Sequence, residues 1–245
     1  MPTGLSTIGG RIYGIFSGLT FVAITVPTIC LLTITPGQRN RRILVRKAAA
    51  LIFFVTGVTP RVTGQEHLPA ERCVVVANHA SYLDGIILTA VLPPRFTFVI
   101  KREMTRVPFA GFLLRRIGSE FVDRFDHQRS AIDTRRIMGA ATSDQSLAFF
   151  PEGTFRSEAG LRSFHNGAFA IARRGNLKLV PVVIRGSRDM LPAHRILPAR
   201  TKLEVIIRPS VSPDQASAST RGLMEACRNS ILAELNEPDA RPQTE

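Results

Sequence analysis

The feature that most constrains this chain is an uncharged segment near its amino terminus, residues 12–38. Residues 12–34 predict a helix of roughly 35 Å, which is long enough to cross the hydrocarbon core of a bilayer. A cleaved secretory signal fits less well, because the run is long for one and no small-x-small cleavage site follows it. A core helix of a soluble protein also fits less well, because this run lacks a polar face. We therefore predict that residues 1–60 form an apolar helical membrane anchor.

The charges that follow this run indicate its orientation. Residues 39–47 form a basic cluster, and an excess of Lys and Arg is typical of loops on the cytoplasmic side of a membrane. We expect an anchor in the cell inner membrane, with the rest of the chain on the cytoplasmic side. Residues 48–60 are uncharged but too short to cross a bilayer, and they favour a helix lying on its surface. Pro27 and several threonines in the first run leave open a helical pair that dips into one leaflet.

The charge balance narrows the class of partner. The net charge is +13, and no acidic residue occurs before Glu66. Such a balance favours anionic partners such as nucleic acid, phospholipid headgroups, a phosphorylated cofactor or an acidic carrier protein. Nucleic acid is the weaker option, because the basic residues alternate with very apolar sequence, Trp is absent and Tyr occurs only twice. The three cysteines are far apart and indicate neither a disulfide framework nor a Cys-x-x-Cys site.

The pattern changes after Pro60 to short apolar runs that alternate with stretches of helical spacing. This alternation predicts an α/β domain over residues 61–236, with a mixed, mostly parallel sheet flanked by helices. The near-continuous hydrophobicity of the strands predicts a sheet covered on both faces. We expect residues 237–245 to be a disordered tail, because they are polar and contain two prolines. The expected strands are 73–77, 97–100, 147–150, 179–184 and 203–207, and the expected helices are 84–91, 108–117, 130–142, 167–174 and 220–236.

A polar cluster follows the first of these strands. Asn78, His79 and Asp84 lie at its carboxyl end, where ligands bind in open α/β sheets. A neutral imidazole can take a proton from an alcohol, and a carboxylate on its other nitrogen fixes the tautomer. For the two side chains to meet, His79 must lie in a turn before a helix that carries Asp84. The alternative is structural: a buried, hydrogen-bonded histidine and a helix N-cap aspartate.

A second cluster, residues 149–157, also follows an apolar strand. Its Gly153 and Thr154 offer backbone and hydroxyl donors, and Arg156 offers a guanidinium suited to phosphate. The alternative is an ordinary turn with a solvated arginine. The chain contains no Gly-x-Ser-x-Gly, P-loop, Gly-x-Gly-x-x-Gly or His-Glu-x-x-His motif, so serine hydrolases, P-loop proteins, dinucleotide enzymes and zincins lose support.

Taken in order, these segments resemble the four sequence blocks of the glycerolipid acyltransferase family, and in particular the bacterial 1-acyl-glycerol-3-phosphate acyltransferases. The blocks are Asn-His-x-x-x-x-Asp, Gly-x-x-Phe-x-Asp-Arg, Phe-Pro-Glu-Gly-Thr and an apolar strand around a proline. They match at residues 78–84, 118–124, 150–154 and 180–182, with a Lys-x-Glu pair at Lys101 and Glu103.

The resemblance implies roles for individual residues. His79 would be the general base and Asp84 its orienting partner. One departure is that Phe155 stands where the family often has Arg after the Gly-Thr pair, and Arg follows only at Arg156. If Arg156 points away, Lys101 and Arg124 must carry the charge of the headgroup. The residues expected to bind substrate are Asn78, Lys101, Arg124, Glu152, Gly153, Thr154, Arg156 and, beside the acyl donor, Pro181.

The reaction implied is attack by the free sn-2 hydroxyl of 1-acyl-glycerol-3-phosphate on an acyl thioester, giving phosphatidic acid. The donor would be acyl-coenzyme A or acyl carrier protein, with no bound cofactor, no metal and no covalent acyl-enzyme. Backbone N–H groups near Gly153 would stabilise the oxyanion. Three alternatives stay open: acylation of another lyso-lipid such as lyso-ornithine lipid, thioester hydrolysis, and a non-catalytic module that binds anionic membranes.

Overall fold

The computed structural model describes residues 7–122, 145–214 and 219–241. The expected helix 130–142 lies outside these ranges. The described helices are α1 (Ile8–Ile34), α2 (Gln38–Val55), α3 (Leu83–Val91), α4 (Ala110–Arg116), α5 (Gly167–Arg174), α6 (Ser187–Met190) and α7 (Thr220–Leu235). The described strands are β1 (Arg61–Thr63), β2 (Cys73–Ala77), β3 (Phe96–Lys101), β4 (Glu120–Val122), β5 (Ser146–Phe149), β6 (Lys178–Arg185) and β7 (Glu204–Ile207).

These strands form one sheet in the order β1-β7-β6-β2-β5-β3-β4. Within the described ranges, only the β6–β7 pair is antiparallel, and the other five neighbouring pairs are parallel. The expected mixed, mostly parallel sheet is confirmed. β2 lies at the centre, between β5 and β6, so the turn that follows β2 opens at the carboxyl edge of the sheet between two neighbouring strands.

Two apolar layers cover the sheet, as the continuous hydrophobicity of its strands predicts. All five residues of β2 are fully buried, and they alternate between the two layers. On one face Val74 and Val76 pack with α5 and α7, through residues such as Phe169 and Cys227. On the other face Cys73, Val75 and Ala77 pack with α2 and α3, through residues such as Phe53 and Ile87.

The amino-terminal helices form an antiparallel pair joined by a turn at residues 35–37. α1 spans 27 residues and is long and apolar enough to cross a membrane. Its exposed large apolar side chains follow helical spacing, so they form one stripe. The stripe consists of Ile8, Ile12, Ile15, Leu19, Val22 and Val26, each more than half exposed.

The second uncharged stretch is the end of a longer helix, not a separate anchor. α2 begins at Gln38, so the basic cluster and residues 48–55 share one helix. One side of α2 is buried against the domain through Val45, Ala49 and Phe53, whereas Phe54 is 74% exposed. α2 therefore connects the apolar helix α1 to the sheet.

Two arginines, one of them buried, fasten this helical pair to the domain. The Arg42 side chain, 8% exposed, donates to the carbonyl oxygen of Ile117 at 2.8 Å and to the Thr97 hydroxyl at 2.7 Å. Its burial lowers the pKa of the guanidinium. Arg116 donates to the Leu32 carbonyl at 2.7 Å and so closes the carboxyl end of α1. Arg42, although in the cluster that indicates membrane orientation, is therefore used for packing.

The carboxyl-terminal segment differs from its expected disorder. Residues 237–241 lie on the domain and are held by backbone hydrogen bonds and ion pairs. Glu237 and Asp239 pair with arginines that belong to the folded domain, and a polar composition rich in proline does not reveal such pairing. The expectation of disorder is therefore wrong for residues 237–241, while residues 242–245 lie outside the described ranges.

Candidate active site

His79 and Asp84 are brought together by the expected strand, turn and helix. His79 lies in the turn after β2, and Asp84 lies in the first turn of α3. His79 Nδ1 lies 2.9 Å from Asp84 Oδ2. The same carboxylate oxygen accepts hydrogen bonds from the backbone N–H groups of Ala80 at 2.6 Å and Ser81 at 2.8 Å. Asp84 therefore fixes both the imidazole and the turn that carries it.

This contact determines what the imidazole can do. Asp84 is fully buried, whereas the His79 side chain is 18% exposed. With the Nδ1 proton donated to the carboxylate, Nε2 of the neutral ring carries the lone pair. A buried carboxylate also stabilises the imidazolium that forms when Nε2 takes a proton. The pair thus has the geometry of a general base and its orienting group.

Aromatic rings enclose the imidazole. The Phe150 ring stacks on it with centroids 4.3 Å apart, and Phe155 meets it edge-on at 4.7 Å. Phe155 also meets the ring of Tyr82 edge-on at 4.7 Å. Stacked and edge-on pairs at these distances are attractive, so they restrict how the imidazole turns. The departure from the family pattern at Phe155 therefore lies directly against His79.

Glu152 supports the same turn from the neighbouring strand. Its Oε1 accepts the backbone N–H of His79 at 2.7 Å, and its Oε2 accepts the backbone N–H of Arg162 at 2.9 Å. Burial raises the pKa of this carboxyl, while the two backbone hydrogen bonds act in the opposite direction. Both carboxylate oxygens thus accept main-chain N–H groups, and Glu152 supports the turn that carries His79.

Asn78 is also occupied by the main chain. Its side-chain amide donates to the carbonyl of Ile184 at 2.9 Å and accepts from the N–H of Ile184 at 2.7 Å. It is 2% exposed and fastens the end of β2 to β6. Its expected role in substrate binding stays a prediction, and its contacts are structural.

An apolar cavity of about 600 Å³ opens beside His79. This volume lies within the range of small-molecule sites in proteins. One wall is formed by α1 and α2, another by α4 and the turn before it, and a third by the end of β3. Representative lining residues are Phe21, Thr28, Ala48, Ile52, Phe109 and Leu113. The imidazole of His79 therefore lies beside an apolar cavity between the amino-terminal helices and the sheet.

The other expected site residues divide into three groups. Lys101, Gly153 and Thr154 line the cavity, and among the described lining residues Lys101 is the one with a permanent charge. Neither Arg156 nor Pro181 belongs to the described lining of the cavity. Arg156 is exposed, whereas Pro181 is buried within β6 opposite Val76. Arg124 lies outside the described residues. Gly153 donates its N–H to the Phe150 carbonyl at 3.1 Å, so this donor is engaged within the turn.

Sequence reasoning missed several groups at this site. The backbone N–H groups of Ala80 and Ser81 leave no trace in side-chain identity, and Arg162 contributes only its main chain. For the cavity wall formed by α1 the sequence contains one weak indication. The polar residues Thr25 and Thr28 interrupt an otherwise apolar helix, and both line the cavity.

A histidine held by a buried carboxylate beside a large apolar cavity is the arrangement expected of an enzyme that activates a hydroxyl next to an aliphatic chain. The family model described as Acyltransferase matches residues 59–185, about half of the chain. This protein belongs to the acyltransferase family.

Known relatives agree with this assignment. A 1-acyl-sn-glycerol-3-phosphate acyltransferase of Saccharomyces cerevisiae is 29% identical over 186 residues, covering 74% of this chain and 61% of the relative. One from Helicobacter pylori is 27% identical and covers 89% of this chain and 92% of the relative. A lyso-ornithine lipid O-acyltransferase of Pseudomonas aeruginosa is 30% identical over 195 residues, covering 80% of this chain and 67% of the relative. The chain thus spans less than two thirds of the yeast relative's length.

The fold also has a solved counterpart. The crystal structure of the 1-acyl-sn-glycerophosphate acyltransferase PlsC from Thermotoga maritima matches with a TM-score of 0.73. The match covers 91% of this chain and 95% of the other, at 20% sequence identity. At this identity the likeness shows that the two proteins share a fold.

Proposed function

We propose that this protein transfers a fatty acyl chain from an acyl thioester to the free sn-2 hydroxyl of 1-acyl-glycerol-3-phosphate, giving phosphatidic acid. The observation that carries the proposal is the apolar cavity that opens beside the His79–Asp84 pair. The names of the yeast and Helicobacter pylori relatives support the choice of acceptor. The donor is acyl-coenzyme A or acyl carrier protein, and both are anionic, as the charge of +13 favours.

The proposed chemistry is a single displacement through a tetrahedral intermediate. His79 Nε2 takes the proton of the acceptor hydroxyl while its oxygen attacks the thioester carbonyl carbon. Asp84 stabilises the imidazolium that forms, through the 2.9 Å contact with Nδ1. The carbon–sulfur bond then breaks, and the new ester remains on the acceptor. The leaving thiolate takes the proton back from the imidazolium of His79 and departs as a thiol. No step needs a metal ion or an acylated side chain.

The direct test is purified full-length protein assayed with acyl donors of increasing chain length and lysophosphatidic acid as acceptor. Wild type is expected to form phosphatidic acid with long chains. Ala48→Phe places a ring in the cavity, and we expect it to lower kcat/KM at least about tenfold for long donors while sparing short ones. The Ala50→Phe variant is the matched control, because Ala50 is exposed on the same helix and does not line the cavity. Free fatty acid without esterified product would indicate a thioesterase instead.

The acceptor headgroup is tested through Lys101. A hydrogen bond to a charged group contributes about 1.5–3 kcal/mol, so we expect Lys101→Met to lower kcat/KM for lysophosphatidic acid about 10- to 100-fold. For monoacylglycerol, an acceptor that lacks the phosphate, the same substitution should lower kcat/KM much less. The Lys178→Met variant is the control, because Lys178 begins β6 at the opposite edge of the sheet and pairs with Glu71. Equal losses for both acceptors would argue against phosphate recognition by Lys101.

Acylation of lyso-ornithine lipid is the second candidate. Phe155 in place of the family's arginine removes one guanidinium from the turn beside His79, and a relative with this activity matches at 30% identity. A panel that contains both lyso-lipids separates the two candidates by their ratio of kcat/KM values.

We further propose that the protein works at the cytoplasmic side of the cell inner membrane. The exposed apolar stripe of α1 and the basic residues at the start of α2 support this location. Acyl-coenzyme A does not cross membranes, so inside-out membrane vesicles are expected to use it and right-side-out vesicles are not.

A further inference from the structure

Residues 237–240, here named the C-terminal strap, bind the loop that leads away from the candidate active site. Leu161 donates its N–H to the Pro238 carbonyl at 2.9 Å, and Ala240 donates its N–H to the Leu161 carbonyl at 3.0 Å. Gly160 fits tightly below the strap, because a Cβ built there would lie 2.6 Å from the Cβ of Ala240. The strap therefore holds both the N–H and the carbonyl of Leu161 and packs closely against Gly160.

Glu237 adds a second attachment to the same loop. Its Oε2 accepts the N–H of Gly160 at 2.7 Å, and its carboxylate pairs with Arg188 through two contacts of 3.0 Å. Arg188 in turn donates to the carbonyl of Arg156 at 2.7 Å. Bidentate arginine–carboxylate pairs have a fixed geometry. Glu237 and Arg188 thus hold the loop at residues 156 and 160.

Asp239 adds a third attachment through a buried arginine. Arg228 is 1% exposed, and its guanidinium pairs with Asp239 at 2.6 and 2.9 Å. The same guanidinium donates to the Leu161 carbonyl at 2.7 Å. These hydrogen bonds from Arg228 hold the pKa of the Asp239 carboxyl well below its usual range. The strap and α7 are thereby joined to the loop by charged groups.

The loop continues directly into the support of His79. Arg162, the next residue after Leu161, donates its N–H to Glu152, and the other oxygen of Glu152 accepts the N–H of His79. Glu237 is therefore connected to the backbone of His79 by a hydrogen bond to Gly160, the main chain of residues 160–162, and the two hydrogen bonds of Glu152. Side chains in a catalytic site need such support to stay in a productive geometry.

We infer that the C-terminal strap is a positioning element for His79, with Glu237 as its main positioning residue and Glu152 as the link to the base. The inference rests on the proposed function in one respect, because it assumes that His79 is the base. The strap lies more than 150 residues after His79 in the sequence. The inference therefore adds a distant segment to the residues that determine the rate of acyl transfer. It also assigns Glu152 to holding the turn that carries the base.

The test compares Glu237→Ala with wild type in the full-length protein by site-resolved amide hydrogen exchange and by steady-state kinetics. The N–H groups of Arg162 and His79 are expected to exchange at least about tenfold faster in the variant, because the loop opens more often. Under the proposed function, kcat is expected to fall about tenfold with little change in KM. Glu237→Gln, which keeps an acceptor for the Gly160 N–H, should recover part of both effects.

Controls separate positioning from general destabilisation. Ile207→Val removes one buried methylene from β7, in the apolar layer on the opposite face of the sheet from Leu161, and should leave the exchange of the Arg162 and His79 amides at wild-type rates. In a Glu152→Ala background, Glu237→Ala should lower kcat less than twofold further, because the link is already broken. Wild-type exchange at Arg162 and His79 in Glu237→Ala overturns the inference. A wild-type protein without transferase activity removes the proposed function, while the exchange result still decides the role of the strap.

Discussion

Replacing His79 with alanine is expected to lower kcat for acyl transfer by about 10²- to 10⁴-fold, the range that positioned acid–base groups supply. The loss should fall on kcat, because the apolar cavity proposed to hold the acyl chain is formed mainly by other elements. Folding should be retained, since the imidazole is partly exposed and the buried hydrogen bonds of Asp84 with Ala80 and Ser81 remain. The measurement is the rate of phosphatidic acid formation together with the thermal unfolding midpoint.

The matched control for this prediction is His67→Ala. His67 Nδ1 lies 2.9 Å from the carbonyl oxygen of Ile207, in the described part of the chain before β2, and the side chain is not in the described cavity lining. Its removal should leave kcat within about twofold, apart from a small change in stability. A His79→Ala protein that keeps more than about a tenth of wild-type kcat would show that another group removes the proton.

The parts of the site that sequence predicted are those fixed by short-range geometry. His79 and Asp84 are five residues apart on a strand, turn and helix, so their contact follows from local structure. β2 has the expected bounds and α3 begins one residue earlier than expected. Their apolar patterns are strong because the chain there is covered on both sides.

The parts that sequence did not predict depend on which strands lie next to each other. The position of Glu152 in the Phe-Pro-Glu-Gly-Thr block predicts a substrate-binding residue. In the structure its oxygens accept hydrogen bonds from the backbone N–H groups of His79 and Arg162. Asn78 likewise bonds to Ile184, which is 106 positions away in sequence. Both contacts require β2 to lie between β5 and β6, and residue type alone does not give that order.

Short edge strands and ion pairs were missed for a related reason. β1 and β4 have only three residues each, and they are strands because β7 and β3 supply their partners. Residues 237–241 have the composition of a disordered tail, but Arg188 and Arg228 hold them by charge. A pattern of apolar residues cannot reveal order that comes from distant charged partners.

The second large effect is expected at Asp84, where two substitutions separate catalysis from folding. Asp84→Asn keeps an oxygen that can accept the N–H groups of Ala80 and Ser81, but it removes the charge that stabilises the imidazolium. We expect kcat to fall about 10²-fold or more, with a small change in the unfolding midpoint. The amide nitrogen takes the place of Asp84 Oδ1, which accepts no hydrogen bond among the described residues, so the substitution breaks no contact at that atom.

Asp84→Ala removes the acceptor as well as the charge. The N–H groups of Ala80 and Ser81 and the Nδ1 of His79 then lose their partner, at a cost of about 1–3 kcal/mol for each buried donor left unpaired. The unfolding midpoint should drop by about 5 °C or more, since 1 kcal/mol corresponds to about 2–4 °C in a domain of this size. Both variants should lose transferase activity, but only Asp84→Ala should lose stability, as calorimetry in detergent would measure. An Asp84→Asn protein with wild-type kcat would mean that the carboxylate serves the turn alone, and the charge would then have no part in moving the proton.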